Sequence, residues 1–324
     1  MFSIAKMDGA LCYHFTARAF HDKTPQQFIQ IPQALGCSLS SLLEHERRCP
    51  PRMPQVSPDE FASPRLTPDQ VDAFIECGFV KIEGAFPRSL ADEARAILWR
   101  DTGCDPDDPL TWEKPVIRLG FYSQTPFLQA ANTRVLHLAF DRLVGSGRWL
   151  PLGHLGTFPV RFPSPIEPDD TGWHVDPSFG LAHEDFLSWR VNVTSRGRAL
   201  LMLFLFSDVD VDDAPTRIRV GSHLDIARRL APVGEQGLSL RELAANGFAE
   251  SAERPEALAT GEAGTVYLCH PFLVHAAQRH RGTRPRFMAQ PPLVPVGELV
   301  LDRPDGRYSP VELAVRRALD MPGR

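Results

Sequence analysis

Residues 156–206 read GTFPVRFPSPIEPDDTGWHVDPSFGLAHEDFLSWRVNVTSRGRALLMLFLF. Short runs of aliphatic, aromatic and β-branched residues alternate here with clusters of Pro, Gly, Asp and Ser. The runs are Thr157 to Phe162, Gly172 to Val175, Trp189 to Thr194 and Ala199 to Phe206. Runs of this length bounded by turn residues predict strands, not helices. The pattern continues downstream at Arg217 to Val220, Thr265 to Cys269 and Arg286 to Leu293. A succession of short strands joined by turns predicts a sandwich or barrel. The 30 prolines and 23 glycines agree, since each proline removes a backbone donor that a helix needs.

Helical signals flank this body. Thr67-Pro68-Asp69-Gln70 combines an N-cap, a proline at the first helical position and a capping-box Gln before Val71, Phe74 and Ile75, and Gly78 ends the helix. Phe79 to Ile82 reads as a short strand. Ser89 is expected to cap a second helix with Leu90, Ala94, Ile97 and Leu98 as its apolar stripe, and a third covers 127–143. Further helices are expected after Gly221-Ser222, at Ser239-Leu240-Arg241-Glu242, and from Ser309-Pro310-Val311-Glu312 to about Leu319. Residues 1–64 show no sustained periodicity and carry Pro50, Pro51, Pro54, Pro58 and Pro64, which predicts a Pro-rich, poorly ordered extension. Residues 65–324 then form one mainly β domain with flanking helices.

The 324 residues are 43% hydrophobic, enough for a sizeable core. A formal net charge of −5 argues against nucleic acid as a partner. No apolar run approaches the ~20 residues a membrane span needs, and no basic segment precedes an apolar one at the N-terminus. A cytoplasmic protein is the expectation. Cys12, Cys37, Cys49, Cys77, Cys104 and Cys269 are scattered and form no CxxC, so neither a zinc knuckle nor a disulfide framework is expected.

The chemistry lies in Gly172-Trp173-His174-Val175-Asp176-Pro177. On a strand, the period of two puts His174 and Asp176 on one face, an imidazole and a carboxylate side by side. With a second histidine these would make a facial metal site, leaving three adjacent positions for a bidentate co-substrate and dioxygen on iron(II). The spacing recurs in His183-Glu184-Asp185 and His223-Leu224-Asp225. The first lies in a polar, loop-like stretch and the second opens a helix, where residues two apart diverge around the axis. A second segment, Gly264 to His275 followed by Arg286-Phe287-Met288-Ala289-Gln290, offers a strand, a turn, a histidine and, eleven residues later, an arginine. A buried arginine can hold the far carboxylate of a dicarboxylate with two charge-assisted hydrogen bonds, a fork that lysine lacks.

From about Leu66 to Leu293 these features, in this order, resemble the phytanoyl-CoA dioxygenase-like family of iron(II)- and 2-oxoglutarate-dependent oxygenases. The resemblance implies a double-stranded β-helix core of jelly-roll or cupin type. Carried over by position, His174, Asp176 and His275 match the iron ligands and Arg286 matches the 2-oxoglutarate anchor. His270 also precedes an arginine, Arg281, by eleven residues, and His280 lies nearby. The family places a histidine just before the turn and the ligand five residues later, which favours His275. Arg284 shares the parity of Arg286 but precedes Pro285, which favours a turn.

The resemblance implies hydroxylation of a small molecule, with dioxygen consumed and 2-oxoglutarate converted to succinate and carbon dioxide. The carboxylate of Asp176 speaks against the related halogenases, where a small residue stands in its place. Alternation in Trp189-Arg190-Val191-Asn192-Val193-Thr194 makes Asn192 a candidate contact of the co-substrate, unless that face is the outer one. Loops at 163–171, 178–188 and 105–126 are expected to surround the substrate, with Tyr122 and Trp189 as candidate contacts. Other readings of the same residues are a catalytically silent cupin-like module and an oxygenase acting on a peptide.

Overall fold

The computed structural model describes residues 2–7, 10–15, 65–181 and 183–322. Its helix Pro68–Cys77 begins where the Thr67 hydroxyl accepts the Gln70 N–H at 3.2 Å and the Gln70 side chain accepts the Thr67 N–H at 2.9 Å. This is the reciprocal cap its sequence predicts. The helix stops at Gly78, whose φ of 86° is left-handed and whose N–H returns to the Phe74 carbonyl. A side chain at Gly78 would also strike the His223 ring at 2.5 Å.

The strand Leu200–Leu205 organises the body. On one side it pairs antiparallel with Val266–Cys269, which pairs in turn with Phe79–Ile82. On the other it pairs with Met288–Ala289 and Pro292–Leu293. A second sheet runs Glu256–Leu258, Arg217–Arg219, His275–Ala276. A third pair, Val116–Leu119 with Phe158–Arg161, is extended by a single bridge from Arg161 to Arg286.

Every residue of Leu200–Leu205 is buried, and its alternation divides the core. Leu201, Leu203 and Leu205 pack with Ile218, Tyr267, Cys269 and Met288, side chains drawn from the large sheet and from the second one. Leu200, Met202 and Phe204 face the other way, joining Phe74, Ala94, Leu98 and Phe127 of the helices. A strand wetted by neither face reads as a continuous apolar run, which is why LLMLFL shows no polar alternation. The architecture is thus sheets with helices laid on them. Among the described residues no helix is long and apolar enough to cross a membrane.

Several elements depart from the sequence reading. The second helix, Arg88–Thr102, is capped by Pro87 without a side-chain bond, so Ser89 lies inside its first turn. The helix expected over 127–143 is two helices, Thr125–Ala131 and Arg134–Leu143, because Thr133 accepts the Leu136 N–H and starts a new one. The strand expected at Trp189 to Thr194 shortens to Arg190–Val191, because Asn192 begins a turn. Arg286 to Leu293 divides at Pro291-Pro292, which lack backbone donors. Gly172 to Val175 contributes one bridge, His174 to His275. Phe2–Met7 and Ala10–Phe15 pair antiparallel within the segment expected to lack regular structure. Most of that segment, including its prolines, lies outside the described residues.

Candidate metal centre and its cavity

His275 opens the strand His275–Ala276, where it pairs with Ile218 of the inter-sheet core. Paired residues share a face, so the imidazole points inward. His174 is bridged to His275 through two main-chain hydrogen bonds of 2.9 Å, one in each direction, which brings their ring centroids to 4.3 Å. Asp176, two residues on, places Oδ1 3.9 Å from His275 Nε2. One ligand atom from each of His174, Asp176 and His275 falls within 4.8 Å of the others.

The second nitrogen of each ring is engaged. His174 Nδ1 meets the Gly172 carbonyl at 2.9 Å, and His275 Nδ1 meets the Leu273 carbonyl at 3.0 Å. A carbonyl only accepts, so both Nδ1 atoms carry a proton, which leaves Nε2 as the nitrogen of each ring that a metal would take. His275 Nε2 is buried and makes no hydrogen bond. Burial, then the neighbouring His174, brings the His275 pKa down to about 4, so the ring is neutral at pH 7. Burial works to raise the pKa of Asp176, but Arg198 foremost, with His275 and His174, holds it below the usual carboxylate value. Arg198 Nη1 lies 3.2 Å from Asp176 Oδ2, and its Nε donates to the Pro177 carbonyl at 3.1 Å. Two half-buried residues, His174 and Asp176, join the buried His275 with its unsatisfied Nε2, and a donor set of two imidazoles and one carboxylate fits a divalent transition metal.

The triad lies in the wall of a cavity of about 190 Å³. Leu187, Leu240, Ala244 and Phe248 give its lining apolar surface, and Arg118, Arg161, Arg286 and Asp170 give it charge. Arg286 is 1% exposed, with Nη1 donating to the Ala214 carbonyl and Nε lacking any partner. Arg281 and Arg284 do not line this cavity, and Arg284 lies instead in a groove with Trp99, Trp112 and Phe287.

The remaining candidates are elsewhere. Asn192 is buried, but its amide donates to Thr194 and to the Glu235 carbonyl, and its oxygen accepts the Arg196 N–H, so it shapes a turn and does not reach the cavity. Tyr122 packs against Phe127 and Phe158 in the helix-side core, away from the cavity. Trp189 donates to the Leu181 carbonyl and covers Gly180 without entering it. The loops expected around the substrate do contribute Arg118, Asp170, Phe186 and Leu187. His223 and His270 form a separate buried pair, with ring centroids 4.9 Å apart.

Arg161, Arg198 and the lining residues Leu240, Ala244 and Phe248 are not among those the sequence singles out for the site. Arg161 did leave a signal, a charged residue sharing the parity of Pro159 in the otherwise apolar run Phe158–Arg161. Arg198, in a turn after Gly197, left none.

Residues 151–288 match the family model described as phytanoyl-CoA dioxygenase (PhyH). No curated protein matches the chain. Among similar solved structures, HygX from Streptomyces hygroscopicus, with nickel and 2-oxoglutarate bound, is 20% identical. The match covers 69% of this chain and 86% of HygX at a TM-score of 0.45. SnoK, a non-heme alpha-ketoglutarate-dependent carbocyclase of nogalamycin biosynthesis, is 17% identical, with 72% of this chain and 85% of SnoK covered at 0.45. The segment that carries His174, Asp176, His275 and Arg286 is therefore similar to the phytanoyl-CoA dioxygenases, the resemblance its motifs indicated.

Proposed function

We propose that the protein is an iron(II)- and 2-oxoglutarate-dependent oxygenase that hydroxylates a small molecule. The observation that carries this reading is the position of His174, Asp176 and His275 in the wall of a cavity that also holds the buried, partly unsatisfied Arg286. Iron(II) bound there, with dioxygen, would supply the oxidising chemistry, coupled to conversion of 2-oxoglutarate into succinate and carbon dioxide. The two Nε2 atoms and one Asp176 oxygen would hold the metal, and the remaining coordination positions would face the cavity.

The charged and the apolar lining residues have separate tasks in this reading. Arg286 receives the far carboxylate of the co-substrate, and burial strengthens that charge-assisted bond. Leu187, Leu240, Ala244 and Phe248 take an apolar part of the substrate and keep water from the reacting carbon. A walled cavity of about 190 Å³ suits a small molecule better than a peptide. The sheets that share the Leu201, Leu203 and Ile218 core are consistent with the walls of a double-stranded β-helix.

The test is anaerobic titration with iron(II) and then 2-oxoglutarate, read by the visible charge-transfer band of a chelated 2-oxo acid. On admitting air, succinate should form slowly even without substrate. Iron binding with no band and no succinate would defeat the proposal.

A further inference from the structure

Arg161 and Arg286 are a directly opposed pair. Arg161 donates its N–H to the Arg286 carbonyl at 3.1 Å, and Arg286 donates back at 2.8 Å. Both side chains therefore leave the same face. They are 2% and 1% exposed and line the same cavity as the metal triad. Placing two guanidiniums together in a buried site is costly unless negative charge lies between them.

The protein supplies only part of that charge. Arg161 Nη2 donates to Asp170 Oδ2 at 2.7 Å, but the same oxygen accepts Arg118 Nη2 at 2.7 Å. At the rim, Arg118 also approaches Asp169 at 3.7 Å. If Arg118 and Asp169 offset one another, Arg161 and Arg286 face Asp170 with one positive charge in excess. The unsatisfied donors agree: Arg161 Nε and Nη1 and Arg286 Nε are buried with no hydrogen-bond partner. Burial, then Arg161, opposes the charge on Arg286, and Asp170 supports it. Arginine nonetheless stays protonated, and although Arg286 Nη1 and Nη2 donate to the Ala214 and Pro159 carbonyls, only an anion would offset the excess charge.

Resting on the oxygenase reading above, we propose that Arg161 and Arg286 together clamp the distal carboxylate of the 2-oxo dicarboxylic acid. One carboxylate supplies one negative charge and two acceptor oxygens, matching both the charge excess and the paired guanidinium faces. Arg161 is thereby a second co-substrate ligand as well as the partner of Asp170.

The test uses the full chain loaded with Mn(II) and measures binding of 2-oxoglutarate and of 2-oxobutyrate, which keeps the 2-oxo acid head but lacks the distal carboxylate. Arg161→Gln should weaken 2-oxoglutarate about 10- to 100-fold, the loss expected for a charge-assisted bond. Affinity for 2-oxobutyrate and for Mn(II) should remain at the wild-type value. Arg161→Lys, which keeps a cation for Asp170 but no fork, should show a smaller loss with the same selectivity, and it carries the test if the Gln variant does not fold. Equal weakening of both acids, or of neither, overturns the clamp while leaving the oxygenase reading intact. If the wild-type protein binds neither acid, both fall together.

Discussion

His174 and His275 face one another as an antiparallel pair whose main chains exchange hydrogen bonds of 2.9 Å in both directions. Their distance is therefore set by backbone pairing, and carbonyls of Gly172 and Leu273 fix the ring tautomers. The fold alone brings the two imidazoles together, which would limit the ordering a bound metal has to impose.

Removing either ring should consequently abolish metal binding and spare the sheets. His174→Ala and His275→Ala are each expected to weaken Co(II) binding by more than about 100-fold, beyond the loss typical of a residue that only orients a ligand. Far-ultraviolet circular dichroism should be unchanged. Wild-type Co(II) affinity in both variants would place the metal elsewhere.

Arg198 should act on the metal through Asp176. Its Nη1 engages Oδ2 at 3.2 Å, and its Nε is tied to Pro177, so the carboxylate is turned with Oδ1 toward His275. Arg198→Gln is expected to weaken Co(II) binding by about 10- to 100-fold. Arg198→Lys should recover part of that loss by restoring the charge. A Gln variant that binds Co(II) like wild type would reduce Arg198 to a packing role.

That His174, Asp176, His275 and Arg286 meet at one cavity is legible in the sequence because the information is local. Two strand residues of one parity share a face whatever the rest of the chain does, and a histidine followed by an arginine eleven residues later survives errors in element boundaries. Asn192 shows where that reasoning fails. Alternation presumes a strand that continues, and the Asn192 side chain itself accepts the Arg196 N–H and helps end it. Tyr122 and Trp189 are aromatics near expected loops, but the packing of one against Phe127 and Phe158 and of the other over Gly180 is a tertiary property. The apolar wall of Leu240, Ala244 and Phe248 comes from a distant helix and the segment after it, so no spacing announces it.

Glu312 should be a keystone of the C-terminal helix. It caps Ser309, accepts from the Val300 N–H and receives Arg148 and Arg303, with its side chain wholly buried. Burial works to raise its pKa, yet these partners hold it at about 2. Removing one member of a buried ion network leaves the others uncompensated, so Glu312→Ala is expected to cost about 3–5 kcal/mol in urea unfolding. An unchanged unfolding midpoint would show that the two arginines find water instead.

The buried imidazole of His223 makes acid stability a further readout. Burial foremost, with Arg254, brings its pKa down to about 4, although its ring bond to the Ile75 carbonyl and Asp225 pull the other way. His270, across the ring contact, is held neutral by burial and by His223 itself. The folded state thus binds fewer protons than the unfolded chain between pH 6.5 and 4. Stability is fully present above the unfolded value and falls as the pH drops through that window. A difference of this size corresponds to about 3 kcal/mol for the one site. His223→Gln, which can still donate to Ile75, should flatten the stability curve of the metal-free protein across this window by one proton relative to wild type. Parallel curves would mean that His223 gains a proton without unfolding, and that the space beside Gly78 admits the charge.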